Sequence, residues 1–383
     1  MKVARRWLLG FAALACSLTA QGRQFHVYFG TYTGGASRGI YVARLDAANG
    51  RLSPAELAAE TASPSYLAVS PGEQFLYAAN EADHLKDYPR ADAGAVSAFA
   101  VTKTSGQLTL LNQVFSGGSS PCYVSVDDTG KVLLAANYGD GTVRAFRLEE
   151  NGAIGAAGDS IARVGHSVNP GRQTSPHAHF ISADPSDRFA IACDLGTDEV
   201  IVFSLDPQAA GLHPAKSASF KVPAGSGPRH LAFSPDGKFA HVINEMACTI
   251  TTFAWDAQTG ELKLVETVPV LPADVTVQPG FTAAEILAAG NHVYATIRGH
   301  DSVSAFVADP RSGRLGFLQN IPSGGKVPRG MGLDPTGHWL LVGNQGSDKV
   351  VEFSINAGSG GLSATGEELK IGSPVDIKFI KNQ

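Results

Sequence analysis

Charge and cysteine are both scarce in this sequence. Asp, Glu, Lys and Arg make up 17% of its 383 residues, and the formal net charge is −5. That balance gives no footprint for nucleic acid, which would need a basic face, and no nucleic-acid partner is expected. There are four cysteines. Cys16 lies in an apolar N-terminal stretch, which leaves Cys122, Cys193 and Cys248. An odd number without C-x-x-C spacing indicates neither a disulfide framework nor a zinc site. They read as buried free thiols, although an oxidising compartment would let one pair bridge. Neither a serine-nucleophile elbow nor an H-E-x-x-H or carboxylate-rich metal loop is read from the chain, so no metal and no cofactor are expected.

The N-terminus carries a different signal. Residues 1–6 (MKVARR) are positive, and 7–20 (WLLGFAALACSLTA) form an apolar run of fourteen ending in small residues. Fourteen is short for a membrane span, whereas the order of segments is that of a cleaved signal peptide over 1–20. A periplasmic or secreted mature protein, not held in a membrane, is expected.

Glycine and proline are plentiful, at 43 and 21 residues, which suits a turn-rich β protein. The prolines mark a repeat. Units begin at Pro64, Pro121, Pro176, Pro228, Pro279, Pro328 and Pro374, spaced by 57, 55, 52, 51, 49 and 46 residues. In four units an Asn follows the Pro by sixteen (Asn80, Asn137, Asn244, Asn344), and in the third Asp194 stands there after a two-residue insertion. Each full unit supplies four short strands, the signature of a propeller blade. The seventh is cut off after one strand, and the segments FHVYFGTY, GIYVARL and LSPAELAAE near the N-terminus supply the rest. The fold class is therefore all-β: one seven-bladed β-propeller over 25–383, its last blade closed by N-terminal strands plus the C-terminal strand. A closed ring has no need of a partner, so a monomer is expected.

Insertions at 81–94, 163–175 and 269–280 lengthen loops on one face and would rim the mouth of the channel. The residue after the repeat Pro is Ser65, Cys122, His177, Arg229, Gly280, Arg329 and Val375 in turn. On the innermost strands these side chains should converge. Second-strand ends add Glu81, Tyr138, Asp194, Glu245 and Arg298. Strict alternation would turn only one of His177 and His179 to the channel, His177 being preferred, and would point His230 away from Arg229 in a structural role. The repeated Asn residues read as bonds that tie blades together.

The opening YFGTYTGG, the SPxY and GPRH unit starts, PHAH at 176–179, GPRHLAFSPDGK followed by INE, and TIRGHDS at 296–302 resemble the lactonase family of seven-bladed propellers. The resemblance covers about 25–380. It implies an enzyme acting on a small-molecule lactone or sugar acid, of the 6-phosphogluconolactonase or carboxy-cis,cis-muconate cyclase type. By the same resemblance, His177, Arg229, Glu245 and Arg298 match the active-site His, Glu and two Arg proposed for the cyclase. Lactone hydrolysis needs a base to activate water and positive charge where the oxyanion develops. His177 or Glu245 could be the base; two nearby cations would weaken Glu245 in that role, which favours His177 with Glu245 as its orienter. Arg229 and Arg298 would bind an anionic group or the oxyanion. Arg329, Asp194, Glu81 and Tyr138 are the expected substrate-binding residues. A lyase of the cyclase type and a non-catalytic ligand- or protein-binding propeller are the alternatives, and export argues against a phosphorylated substrate.

Overall fold

The computed structural model describes residues 24–82 and 92–382. The expected leader at 1–20 and most of the 81–94 insertion lie outside the described residues. Among those described, the strands form seven antiparallel sheets. The first blade runs Pro64–Val69, Phe75–Asn80, Ala95–Val101 and Leu108–Phe115 from the inside outwards. Five further sheets repeat this order. In the seventh the innermost strand is the C-terminal Pro374–Lys381, which pairs with Gln24–Thr31, followed by Gly39–Asp46 and Glu56–Glu60. Each innermost strand packs on the next, and that of the seventh blade packs on that of the first. The ring is thus closed by main-chain hydrogen bonds between the two ends of the chain, and the first and last blades meet with no sheet missing.

Second strands such as Val132–Asn137 are buried at every position because sheets pack against both of their faces. The blades are also stapled by a repeated polar contact. The hydroxyls of Tyr28, Tyr77 and Tyr294 are fully enclosed and donate to the carbonyls of Gly106, Gly152 and Gly360 in the following blade, at 2.9, 3.1 and 3.0 Å. Gly152 has a left-handed φ of 83°, and any Cβ there would strike the Phe75 ring. Tyr77→Phe is expected to lower stability by about 1 kcal/mol, read as a lower urea midpoint at unchanged slope. The Asn ties are partly inter-blade: Asn137 and Asn344 donate to the carbonyls of Ser116 and Ser323 in the preceding connections, and Asn80 to that of Ala62. Asn244 bonds instead to Thr249 and Thr251 of its own blade. The three cysteines are buried and free.

One buried acid sets a pH dependence. Glu352, on Lys349–Ile355, is 1% exposed and has no cation within ion-pair distance among the described residues. Burial, aided by Glu367 and Asp334, raises its carboxyl to about 7. The folded state therefore holds this proton where the unfolded chain has already lost it. Stability should fall as pH rises from the unfolded value near 4.5 to about 7. Glu352→Gln is expected to flatten that fall, gaining on the order of 1–3 kcal/mol at pH 8 and nothing at pH 4.5. Urea midpoints of both proteins at the two pH values check it.

Candidate active site

The site is built by an irregularity common to the seven innermost strands. Pro64 pairs with Asn80 and Tyr66 with Ala79, so Ser65 has no partner. The same β-bulge leaves out Cys122, His179, Arg229, Arg329 and Val375, and a wider one leaves out Ala284 and Glu285. A bulge sets two residues against one and breaks the alternation of side chains. Consecutive residues then both turn inwards. Arg229 and His230 are both buried, and Arg229 Nη1 lies 3.3 Å from each nitrogen of the His230 ring. The expectation that His230 points away from Arg229 fails for this reason.

Bulge residues and second-strand ends meet in a cavity of about 270 Å³, lined by Tyr32, Glu81, Cys122, Tyr138, Arg172, His179, Glu245, Arg298 and Arg329. Glu245 is its electrostatic centre. Arg172 Nη2 donates to Oε1 at 2.7 Å, while Arg298 Nη2 and Arg229 Nε stand 2.9 and 3.1 Å from Oε2. Burial pushes this carboxyl up, but Arg298, Arg229 and Arg172 prevail and hold it far below the usual carboxylate range. Burial also brings the Arg298 guanidinium down to about 10, with Glu245 opposing. Across the cavity, Arg329 Nη2 donates to Tyr32 Oη at 2.8 Å, and that hydroxyl donates to Glu81 Oε2 at 2.7 Å. Arg329 has no carboxylate within 4.0 Å among the described residues, and its guanidinium lies over the Tyr32 ring.

The histidines are exchanged relative to the expectation. His179 lines the cavity with Nδ1 3.6 Å from Cys122 Sγ, whereas His177 is not among the lining residues. The two-residue insertion explains this: Ala178, not Pro176, pairs with Asp194, so His179 takes the bulge position that Arg229 takes in the next blade. His177 stacks on the Tyr138 ring at 4.4 Å, and its Nδ1–H donates to the Tyr138 carbonyl at 2.7 Å. Burial, then Arg229 and His230, hold the His179 imidazole well below its ordinary value, so it is neutral. Asp194 is also displaced from its expected role. It is fully enclosed, and its Oδ1 accepts from the main-chain N–H groups of His177, Gly196 and Thr197, closing a turn behind the site. Glu245, Arg298, Arg329, Glu81 and Tyr138 all line the cavity, and Arg229 lies behind Glu245 without lining it.

Residues 26–379 match the family described as Lactonase, 7-bladed beta-propeller. The chain belongs to that family. It is 33% identical over 353 residues to the 6-phosphogluconolactonase of Bacillus subtilis, covering 92% of this lactonase-family chain and 97% of that protein. The periplasmic gluconolactonase PpgL of Pseudomonas aeruginosa has a similar solved structure, with 31% identity, a TM-score of 0.86, and 94% and 100% of the two chains covered. A Lactobacillus plantarum protein of known structure matches with 31% identity and a TM-score of 0.83, over 93% and 99% of the chains.

Three site residues escaped the sequence reading. Arg172 lies in the 163–175 insertion, and Tyr32 lies in the YFGTYTGG motif, so both carried a signal of position without one of role. His179 could have been found by counting fifteen residues back from Asp194, the separation of Arg229 from Asn244. One absence was also misread: residues 35–39 spell G-x-S-x-G. Ser37 is nevertheless buried and bonds Thr31 Oγ1 at 2.6 Å, on a β-turn of the seventh blade and outside the cavity lining. It is no exposed nucleophile at the head of a helix.

Proposed function

We propose that this member of the lactonase family hydrolyses a sugar lactone to its aldonic acid in the bulge-lined cavity. The observation that carries the reading is the charge of the cavity. Arg172, Arg229, Arg298 and Arg329 surround two carboxylates, Glu245 and Glu81, beside a neutral imidazole. The excess of positive charge suits a carbonyl oxygen that becomes an oxyanion and a product that carries a carboxylate. His179 is the base in this reading. Cys122 Sγ lies 3.6 Å from the Ala178 carbonyl, to which its thiol can donate, leaving sulfur to accept from His179 Nδ1–H. Nε2 then holds the free lone pair. Water attacks the lactone carbonyl as Nε2 takes its proton; the ring C–O bond breaks, and the leaving oxygen takes the proton back. Glu245 favours the transient imidazolium, and Arg298, which lines the cavity, faces the oxyanion with Arg229 behind Glu245.

The lactone is an unphosphorylated aldonolactone in a periplasmic or secreted enzyme. The charge pattern of residues 1–20 and the likeness to PpgL support this; the likeness to the B. subtilis protein supports its 6-phosphate instead. Proton release from glucono-δ-lactone and from its 6-phosphate, each against spontaneous opening, separates the two. Turnover of the plain lactone at a kcat/KM equal to or above that of the phosphate is the expected result. A preference for the phosphate of more than about a hundredfold would move the substrate and the export reading together. Failure to open either would overturn the lactonase reading.

A further inference from the structure

Below the cavity the channel holds a second layer of ionisable groups that the reaction above does not use. Glu285 occupies the bulge of the fifth blade, is 3% exposed, and its Oε1 stands 2.9 Å from His230 Nδ1. The His230 ring touches the Arg229 guanidinium, whose Nη1 also donates to the Ala284 carbonyl at 2.7 Å. Arg229 in turn meets Glu245 in the cavity. An unbroken line of contacts therefore runs Glu285–His230–Arg229–Glu245.

We propose that the Glu285–His230 pair is a charge control behind Arg229: protonated, it leaves the pocket at full affinity for an anionic group, and ionised, it weakens that affinity. The proposal rests on the reading that the pocket holds an anion, and it adds a specificity-setting residue outside the lining. Burial raises the Glu285 carboxyl to about 7, against the pull of Arg229 and Lys378. Burial and the same cations keep His230 neutral. Other elements present titratable groups to the pair. His179 comes from the third blade, its ring 5.0 Å from that of His230, and burial keeps it neutral. Arg329 comes from the sixth, and Asp376 with Lys378 from the seventh, held together at 2.6 Å. Tyr66 and Tyr123, stacked at 4.0 Å, face it from the first two blades and stay un-ionised because burial raises both hydroxyls. Burial also raises the Asp376 carboxyl, against the pull of Lys378. Glu285 is the group brought to about 7. Its proton is bound below about 7 and lost above. Loss adds a negative charge behind Arg229, so anion affinity falls as pH rises. By reciprocity a bound anion must raise the carboxyl further.

The test is titration calorimetry of the whole protein with sulfate and with gluconate, both of constant charge between pH 6 and pH 8. A Coulomb interaction at intermediate dielectric predicts about a tenfold weaker Kd at pH 8 than at pH 6 in the natural protein. Glu285→Gln, which keeps the shape of the pair without its charge, should hold the pH 6 affinity throughout. Titration of other groups is common to both proteins and cancels in the comparison. Equal pH dependence in the natural protein and the variant would overturn the proposal while leaving the anion site intact. No binding of either anion at any pH would overturn the anion site and the proposal with it. Should Glu285→Gln fold poorly, Glu285→Met supplies the neutral side chain, and the proton taken up on sulfate binding at pH 7 gives a second reading in the natural protein. The expected result is net uptake; zero uptake refutes the coupling.

Discussion

Glu245→Gln is expected to lower kcat/KM for lactone opening by about a hundredfold or more, the range reported when a preorganised charge contact is removed. The variant keeps the size of the side chain and removes the one negative charge that three guanidiniums share. Arg229 and Arg298 approach the same oxygen, Oε2, from the fourth and fifth blades, and Arg172 reaches Oε1 from the loop before the third. Without the charge these cations repel one another in a buried space. Breaking a buried ion cluster on one side costs about 3–5 kcal/mol, so the melting temperature should fall as well. The loss of activity is separable from the loss of stability, because an added anion can replace the missing carboxylate. Sulfate should stabilise Glu245→Gln more than it stabilises the natural protein, while activity stays lost. A variant that melts lower yet retains activity within about threefold would make the cluster a brace between blades and nothing more, since removing a transition-state contact costs far more than this.

His179→Gln carries the second large effect. Loss of a general base lowers kcat by about 10²–10⁴, whereas His177→Gln should change it less than tenfold, because His177 lies behind Tyr138 and outside the cavity lining. The pH profile gives a further reading. Burial and Arg229 hold the His179 imidazolium well below its ordinary value. The acid limb of kcat/KM should therefore appear well below 6.5, with no loss of rate on going from pH 7 down to pH 6 once spontaneous opening is subtracted. A limb centred near 6.5, together with full activity in His179→Gln, would return the base to His177.

Much of this was legible in the residues, for reasons that can be named. Pro and Asn at a fixed spacing mark where each innermost strand meets the end of its neighbour, so the blade count and the closure by the two termini follow from counting. Arg229 and Arg329 were legible because they stand at the same repeat position, and Glu245 and Arg298 because they stand at the ends of second strands. Two assumptions fail. Period-two alternation does not hold through a bulge, which turns His230 towards Arg229. The prolines do not keep register in every unit: Ala178 rather than Pro176 pairs with Asp194, which exchanges His177 for His179, and Thr282 rather than Pro279 pairs with Arg298, which hides Glu285. Asp194 was misjudged for another reason: a carboxylate at a strand end can cap a turn as readily as face a ligand, and three main-chain N–H groups decide between the two. Arg172 sits in an irregular loop, where periodicity gives no direction to a side chain.

The most direct test is the position of gluconate in a crystal of the complex. The account predicts the sugar acid inside the bulge-lined cavity, with its carboxylate within hydrogen-bond distance of Arg298 and one carboxylate oxygen facing His179 Nε2. Gluconate bound only outside that cavity, or a carboxylate held by His177 with His179 facing away, would contradict it.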